Sequence, residues 1–190
     1  SLTVGLDAQP GQSILIRGGT SSVGMAAAVL AKRLGLTVLA TTRNPDRSAA
    51  LTRIGVDHVL LDDGAVAAQV RRYFPDGVDL ALELVGTPTL PDTLRATRVH
   101  GTVCFTGMLS QQWSVPDFYP IDYLPSGVRL TAYTGGASDL PQAVLQGFLD
   151  DAAAGTLTIP LVRTYRLEDV AQAHRDMEAS AVGGKAVVVL

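Results

Sequence analysis

Short apolar runs alternate with helix-spaced segments along almost the whole chain. Ser13–Arg17 (SILIR), residues 37–41, His58–Leu61, and residues 78–86 (VDLALELVG), 101–107 (GTVCFTG), 128–134 (VRLTAYT) and 185–190 (KAVVVL) are short, unbroken and β-branched. That pattern predicts strands. Helical spacing covers residues 23–34, 45–54, 65–73, 91–98, 139–154 and 167–179. Strands without polar alternation are buried on both faces, which predicts a parallel sheet covered by helices. Right-handed crossovers then point to an α/β fold with a doubly wound parallel (Rossmann) sheet. Its six main strands would follow the order 3-2-1-4-5-6. One long irregular stretch, 108–126, carries Trp113, Phe118, Tyr119 and Tyr123 with three prolines. A loop of that length is either functional or pinned to the surface by its aromatic residues.

The first predicted strand breaks into Gly18-Gly19-Thr20-Ser21-Ser22-Val23-Gly24 before a helix restarts. A dinucleotide turn needs small residues here so that the chain turns sharply, the backbone nears a pyrophosphate, and helix packs on strand. Unpaired amides and the positive end of the helix dipole then hold the phosphates. Gly19 and Gly24 match the first and third glycines of GxGxxG, with Ser21 in the middle position. An empty tight turn needs only one or two small residues, so seven in a row favour a ligand.

NAD sites place an acid at the end of the second strand to accept from the ribose 2′-hydroxyl. Thr41 and Thr42 stand there instead, followed by Arg43 and Arg47. Two guanidiniums suit a 2′-phosphate, so NADPH outranks NADH. An S-adenosylmethionine site also calls for an acid at that point. The short-chain dehydrogenases need Tyr-x-x-x-Lys, and no tyrosine here has lysine four residues on.

The net charge of −3 supplies no strong positive field, which counts against nucleic acid and anionic membranes as partners. No apolar run approaches the ~18 residues of a membrane span. With Cys104 as the single cysteine, an internal disulfide and a cysteine-based zinc cage are both ruled out, and a cytoplasmic location is consistent with that. His58, His100 and His174 lack metal-ligand spacing, so no metal site is expected. Glu83, inside a central strand, must be paired when buried, and a structural ion pair is the expected arrangement. The opening SLTVGLDAQPGQ lacks methionine and reads like a helix tail and a turn, as if cut from a longer chain.

The stretch PGQSILIRGGTSSVGMAAAVLAKRLGLTVLATTRNPDRSAALTRIGVDHVLL resembles the medium-chain dehydrogenase/reductase superfamily, closest to its zinc-free quinone oxidoreductase branch. GVDLALELVG, GTVCFTG, YRLEDVAQAHRDMEAS and GGKAVVVL extend the match in order. The resemblance implies a cofactor domain over residues 1–157 and a return segment over 158–190 that packs on a GroES-like catalytic domain not present in this sequence. It places Thr20, Ser21, Ser22 and Val23 on the pyrophosphate, and Thr42, Arg43 and Arg47 at the 2′-phosphate. Val85, Gly86, Gly107, Met108 and Leu109 would flank the adenosine and nicotinamide, and Gly184 and Lys185 would approach from the C-terminal segment. Where the family often has a tyrosine after the third strand, Asp62-Asp63 stands here and would weaken the preference for NADPH. Hydride transfer to a quinone or an α,β-unsaturated carbonyl is the implied reaction, with no catalytic residue of its own in this chain. Zinc-dependent alcohol dehydrogenase, an enoyl reductase module and a non-catalytic NADPH-binding dimer remain alternatives. A homodimer paired through the edge strand at 128–134 is expected.

Overall fold

The computed structural model describes residues 1–179, 181–182 and 185–190. Strands β1 (Ser13–Arg17), β2 (Thr37–Thr42), β3 (His58–Leu61), β4 (Val78–Glu83), β5 (Thr97–Phe105) and β6 (Arg129–Ala132) form one sheet. All its pairs are parallel and its order is β3-β2-β1-β4-β5-β6, the doubly wound order expected. Helices α1 (Ser22–Arg33), α2 (Ser48–Arg53), α3 (Val66–Val70), α4 (Leu90–Ala96), α5 (Pro120–Tyr123) and α6 (Gln142–Ala153) connect and follow these strands. β7 (Leu161–Arg166), α7 (Val170–Glu178) and β8 (Lys185–Val189) make a separate two-stranded parallel unit.

Successive side chains of a strand point to opposite faces, so an unbroken apolar strand feeds two cores. Ile14 and Ile16 meet Met25, Ala28, Val38 and Leu51 on one face, while Leu15 and Leu39 meet Val66, Val70, Leu90 and Leu94 on the other. α1 is built from strong helix formers and carries Lys32 and Arg33 in its last turn, where they suit the dipole. It stops at Gly35, whose φ of +80° costs glycine nothing.

The end of the sheet remote from the glycine-rich turn is clamped by Asp79. Its Oδ2 accepts from the Ser13 amide at 2.8 Å and from Ser13 Oγ at 2.7 Å, and its Oδ1 accepts from Arg98 Nε at 2.7 Å. Burial acts against the Asp79 charge, yet these donors from Ser13 and Arg98 hold its carboxyl below the ordinary aspartate range.

Several elements differ from the pattern reading. The helix expected at 91–98 gives way to β5 at Thr97, four residues early, with a register shift opposite Val78 and Leu80. A β-branched threonine followed by Arg98, which is drawn to Asp79, favours extended chain over another helical turn. β7 was not expected, because LVRTYR interleaves arginine with apolar residues. The segments at 45–54 and 167–179 each open with a 3₁₀ turn, Pro45–Arg47 and Leu167–Asp169. Within 108–126, Tyr123 turns inward against the core and packs edge-on to Phe118 at 5.0 Å, while Trp113 stays exposed. Among the described residues no helix is long and apolar enough to cross a membrane.

Candidate functional site

β1 delivers the chain to Gly18, which turns with φ +85° and donates its amide to Thr41 Oγ1 at 2.9 Å. Ser21 caps α1: its Oγ accepts from the Gly24 amide at 3.0 Å and donates to the Gly18 carbonyl at 2.8 Å. A Cβ on Gly19 would lie 2.8 Å from that of Ala40, and one on Gly24 would collide with the Gly18 carbonyl oxygen. Glycine at these two places therefore lets α1 sit tightly on β1 and β2. The first amides of a helix have no carbonyl partner within it; in α1 Ser21 Oγ takes that of Gly24, and no acid stands in the first turn to take those of Ser22 and Val23.

Those amides open on a cleft of about 670 Å³ at the carboxyl ends of the strands. Thr20, Ser21 and Ser22 line it from the turn; Thr42, Arg43 and Arg47 line it from the end of β2. Val85 and Thr89 bound it beyond β4, and Leu109, Ser110 and Gln111 beyond β5. Ligands of open α/β sheets bind in such a crevice, at the point where strand order reverses. Here that point is between β1 and β4.

Behind the cleft lies a buried polar network. Arg17, fully buried at the tip of β1, forks onto Asp62, with Nε to Oδ2 at 2.6 Å and Nη2 to Oδ1 at 2.7 Å. Its Nη1 reaches Asp92 Oδ2 at 2.7 Å, and that oxygen also takes the Val66 amide at 2.9 Å. Burial works against the Arg17 charge, but Asp62 and Asp92 outweigh it and hold the guanidinium above its ordinary value.

Glu83, beside Arg17 in the sheet register, is also fully buried. The ion pair expected for it is not the arrangement found. Its Oε1 accepts from the amides of Val85 at 2.7 Å and Gly86 at 3.0 Å and from Thr89 Oγ1 at 3.0 Å, while Oε2 accepts from Thr93 Oγ1 at 2.6 Å. Burial pushes its carboxyl up against the pull of these donors. The effect is structural: Glu83 folds the turn that carries Val85 and Thr89 to the cleft wall.

Of the residues singled out in the sequence, Thr20, Ser21, Ser22, Thr42, Arg43, Arg47, Val85 and Leu109 line this cleft together. Gly19, Gly24, Gly86 and Gly107 are packing positions; a Cβ on Gly107 would lie 2.7 Å from the Leu84 carbonyl oxygen. Val23 is exposed on the first turn of α1, and Met108 follows Gly107; neither is among the lining residues. Lys185 is exposed at the start of β8 and does not line the cleft, while Gly184 lies outside the described residues. The C-terminal segment reaches the cleft through Met177 and Val182 instead. The sequence reading also missed Thr89, Ser110 and Gln111 as lining residues. Asp62 does line the cleft, but gripped by Arg17 rather than bare. Among the described residues no three His, Cys, Asp or Glu side chains are grouped to hold a metal ion.

Fold and cleft together define a dinucleotide-binding domain of the doubly wound α/β class: tight glycines, orphan helix amides and paired arginines fit a phosphorylated dinucleotide. The family profile of zinc-binding dehydrogenases matches residues 54–188, and the chain belongs to that family, within the medium-chain dehydrogenase/reductase superfamily. The described residues do not supply the metal site its name implies. The chain is 28% identical over 104 residues to an NADP(+)-dependent 2-alkenal reductase of Nicotiana tabacum, covering 53% of this chain and 30% of that protein. It is 26% identical over 187 residues to a quinone oxidoreductase of Lama guanicoe, covering 96% and 56%. The chain therefore spans little more than half the length of these curated relatives at most. A mycobacterial protein solved with NADPH shares the fold at a TM-score of 0.82 and 23% identity, over 100% of this chain and 61% of that one.

Proposed function

We propose that this chain is the NADPH-binding part of an oxidoreductase that reduces a quinone or an α,β-unsaturated carbonyl. The observation that carries the reading is the cleft itself. At its centre the Gly19–Gly24 turn presents helix amides and the Thr20, Ser21 and Ser22 side chains, and at its rim Arg43 and Arg47 stand where an NAD site would have an acid. The turn holds the pyrophosphate, and the two guanidiniums meet the 2′-phosphate. Val85 and Leu109 provide apolar contact along the cleft, shielding the bound dinucleotide from water. Bound NADPH supplies the hydride; the chain's own contribution is to bind it and fix its orientation. Reductases of alkenals and quinones among the relatives support the substrate class.

Fluorescence titration tests this directly. Saturable NADPH binding, tighter than NADH, is the expected result; no saturation even at millimolar cofactor would overturn it.

We further propose a homodimer through β6. Among the described residues this four-residue strand lies at the end of the sheet order with one side unpaired, and Leu130 is exposed on it. A bare edge invites a second strand. Light scattering at micromolar concentration should report twice the 19.9 kDa chain mass, and a monomer would refute the pairing.

A further inference from the structure

We propose that Arg17 is a cofactor-specificity residue that acts through Asp62, disarming an acid that lines the cleft so that a 2′-phosphate is accepted. This rests on the NADPH reading above.

Asp62 is the only carboxylate among the described residues lining the cleft, and it shares that wall with Thr42, Arg43 and Arg47. Left bare, it would repel a 2′-phosphate and accept from a 2′-hydroxyl, which is how acids in such clefts select the unphosphorylated cofactor. Its oxygens are already taken. Oδ2 receives Arg17 Nε at 2.6 Å; Oδ1 receives Arg17 Nη2 at 2.7 Å and the Gly64 amide at 3.2 Å. Only 9% of the side chain is exposed.

The grip is held from behind. Arg17 is fixed at the tip of β1 and tied to Asp92 at 2.7 Å, and Asp92 is in turn held by the Val66 amide at 2.9 Å. A guanidinium presents a rigid fork that occupies both oxygens of one carboxylate, whereas a lysine ammonium is a single point charge. The cation that sets specificity is thus buried beneath the cleft and touches no cofactor. Arg43 and Arg47 attract the phosphate, and Arg17 removes the group that would oppose it.

The test is the ratio of Kd for NADH to Kd for NADPH, by fluorescence titration of this chain. R17Q should lower the ratio about tenfold, since it exposes a charged hydrogen-bonding group to the cleft. R17K should lower it in the same direction by a smaller factor. The double variant R17Q/D62N should return it to within about threefold of the unmodified chain, because the opposing charge is gone. Should R17Q fail to fold by circular dichroism, R17K and the double variant carry the comparison. A purely structural Arg17 would weaken both cofactors equally, and an unchanged ratio in R17K, or a double variant that stays low, overturns the proposal. Absence of saturable NADPH binding by the unmodified chain would instead overturn the functional reading, and this inference with it.

Discussion

Replacing Gly24 by alanine is expected to abolish saturable NADPH binding while leaving the sheet assembled. The added methyl would run into the Gly18 carbonyl oxygen and lie 2.8 Å from Gly19 Cα, both of them backbone atoms that no side-chain rotation can clear. Either α1 lifts from β1 or the turn opens, and both displace the amides from the cleft. Overpacking of this kind costs about 1–3 kcal/mol. The melting temperature should therefore fall by about 2–4 °C per kcal/mol for a chain of this size. Gly147→Ala is the control. It lies within α6, where a Cβ meets only Arg33 Nη2 at 3.6 Å, so helix propensity should make it neutral or stabilising. Normal NADPH affinity in the Gly24 variant would show that the tight turn does not set the binding geometry.

Glu83→Ala should be the most destabilising single change in the second half of the sheet. It strips the acceptor from the Val85 and Gly86 amides and from Thr89 and Thr93, which surround a carboxylate that is itself fully buried. It also removes a negative charge from beside Arg17. Breaking such a buried charged network costs about 3–5 kcal/mol. Glu83→Gln keeps one oxygen for the two amides and Thr89, and its NH₂ can donate to Thr93, so its cost should be nearer 1–2 kcal/mol. Urea unfolding separates the two, and a loss below about 1 kcal/mol in the alanine variant would contradict the network's role. Dinucleotide affinity should fall with stability, since the turn that Glu83 folds carries Val85 and Thr89 to the cleft.

The parts of this molecule that could be read in the sequence are those decided locally. β1, β2 and β4 were legible because SILIR, TVLATT and VDLALE carry their burial in their own residues, and β3 because HVLL is a short apolar run, although at the end of the sheet only its Leu60 is buried. The glycine-rich turn was legible because a tight strand-to-helix turn admits few side chains. What escaped was decided by partners far along the chain. Arg17 lies 45 residues from Asp62 and 75 from Asp92, so nothing in IRGGT announces a buried arginine. Asp62 looked like an obstacle to a 2′-phosphate because its counterion was out of sight. Glu83 was rightly read as needing partners, but a lone charge in a strand does not reveal that amides and hydroxyls supply them. Met177 and Val182 reach the cleft only through the path of the returning C-terminal segment, which periodicity does not encode.

Asp79 joins the starts of β1 and β4 at the heel of the sheet, on the far side from every residue proposed to touch a ligand. Anchorage therefore draws on both ends of these strands, Asp79 at the heel and the Arg17 and Glu83 networks beneath the cleft, whereas ligand contact draws on one. Substitutions along the lip after β5, where Leu109, Ser110 and Gln111 stand, can accumulate without loosening that heel.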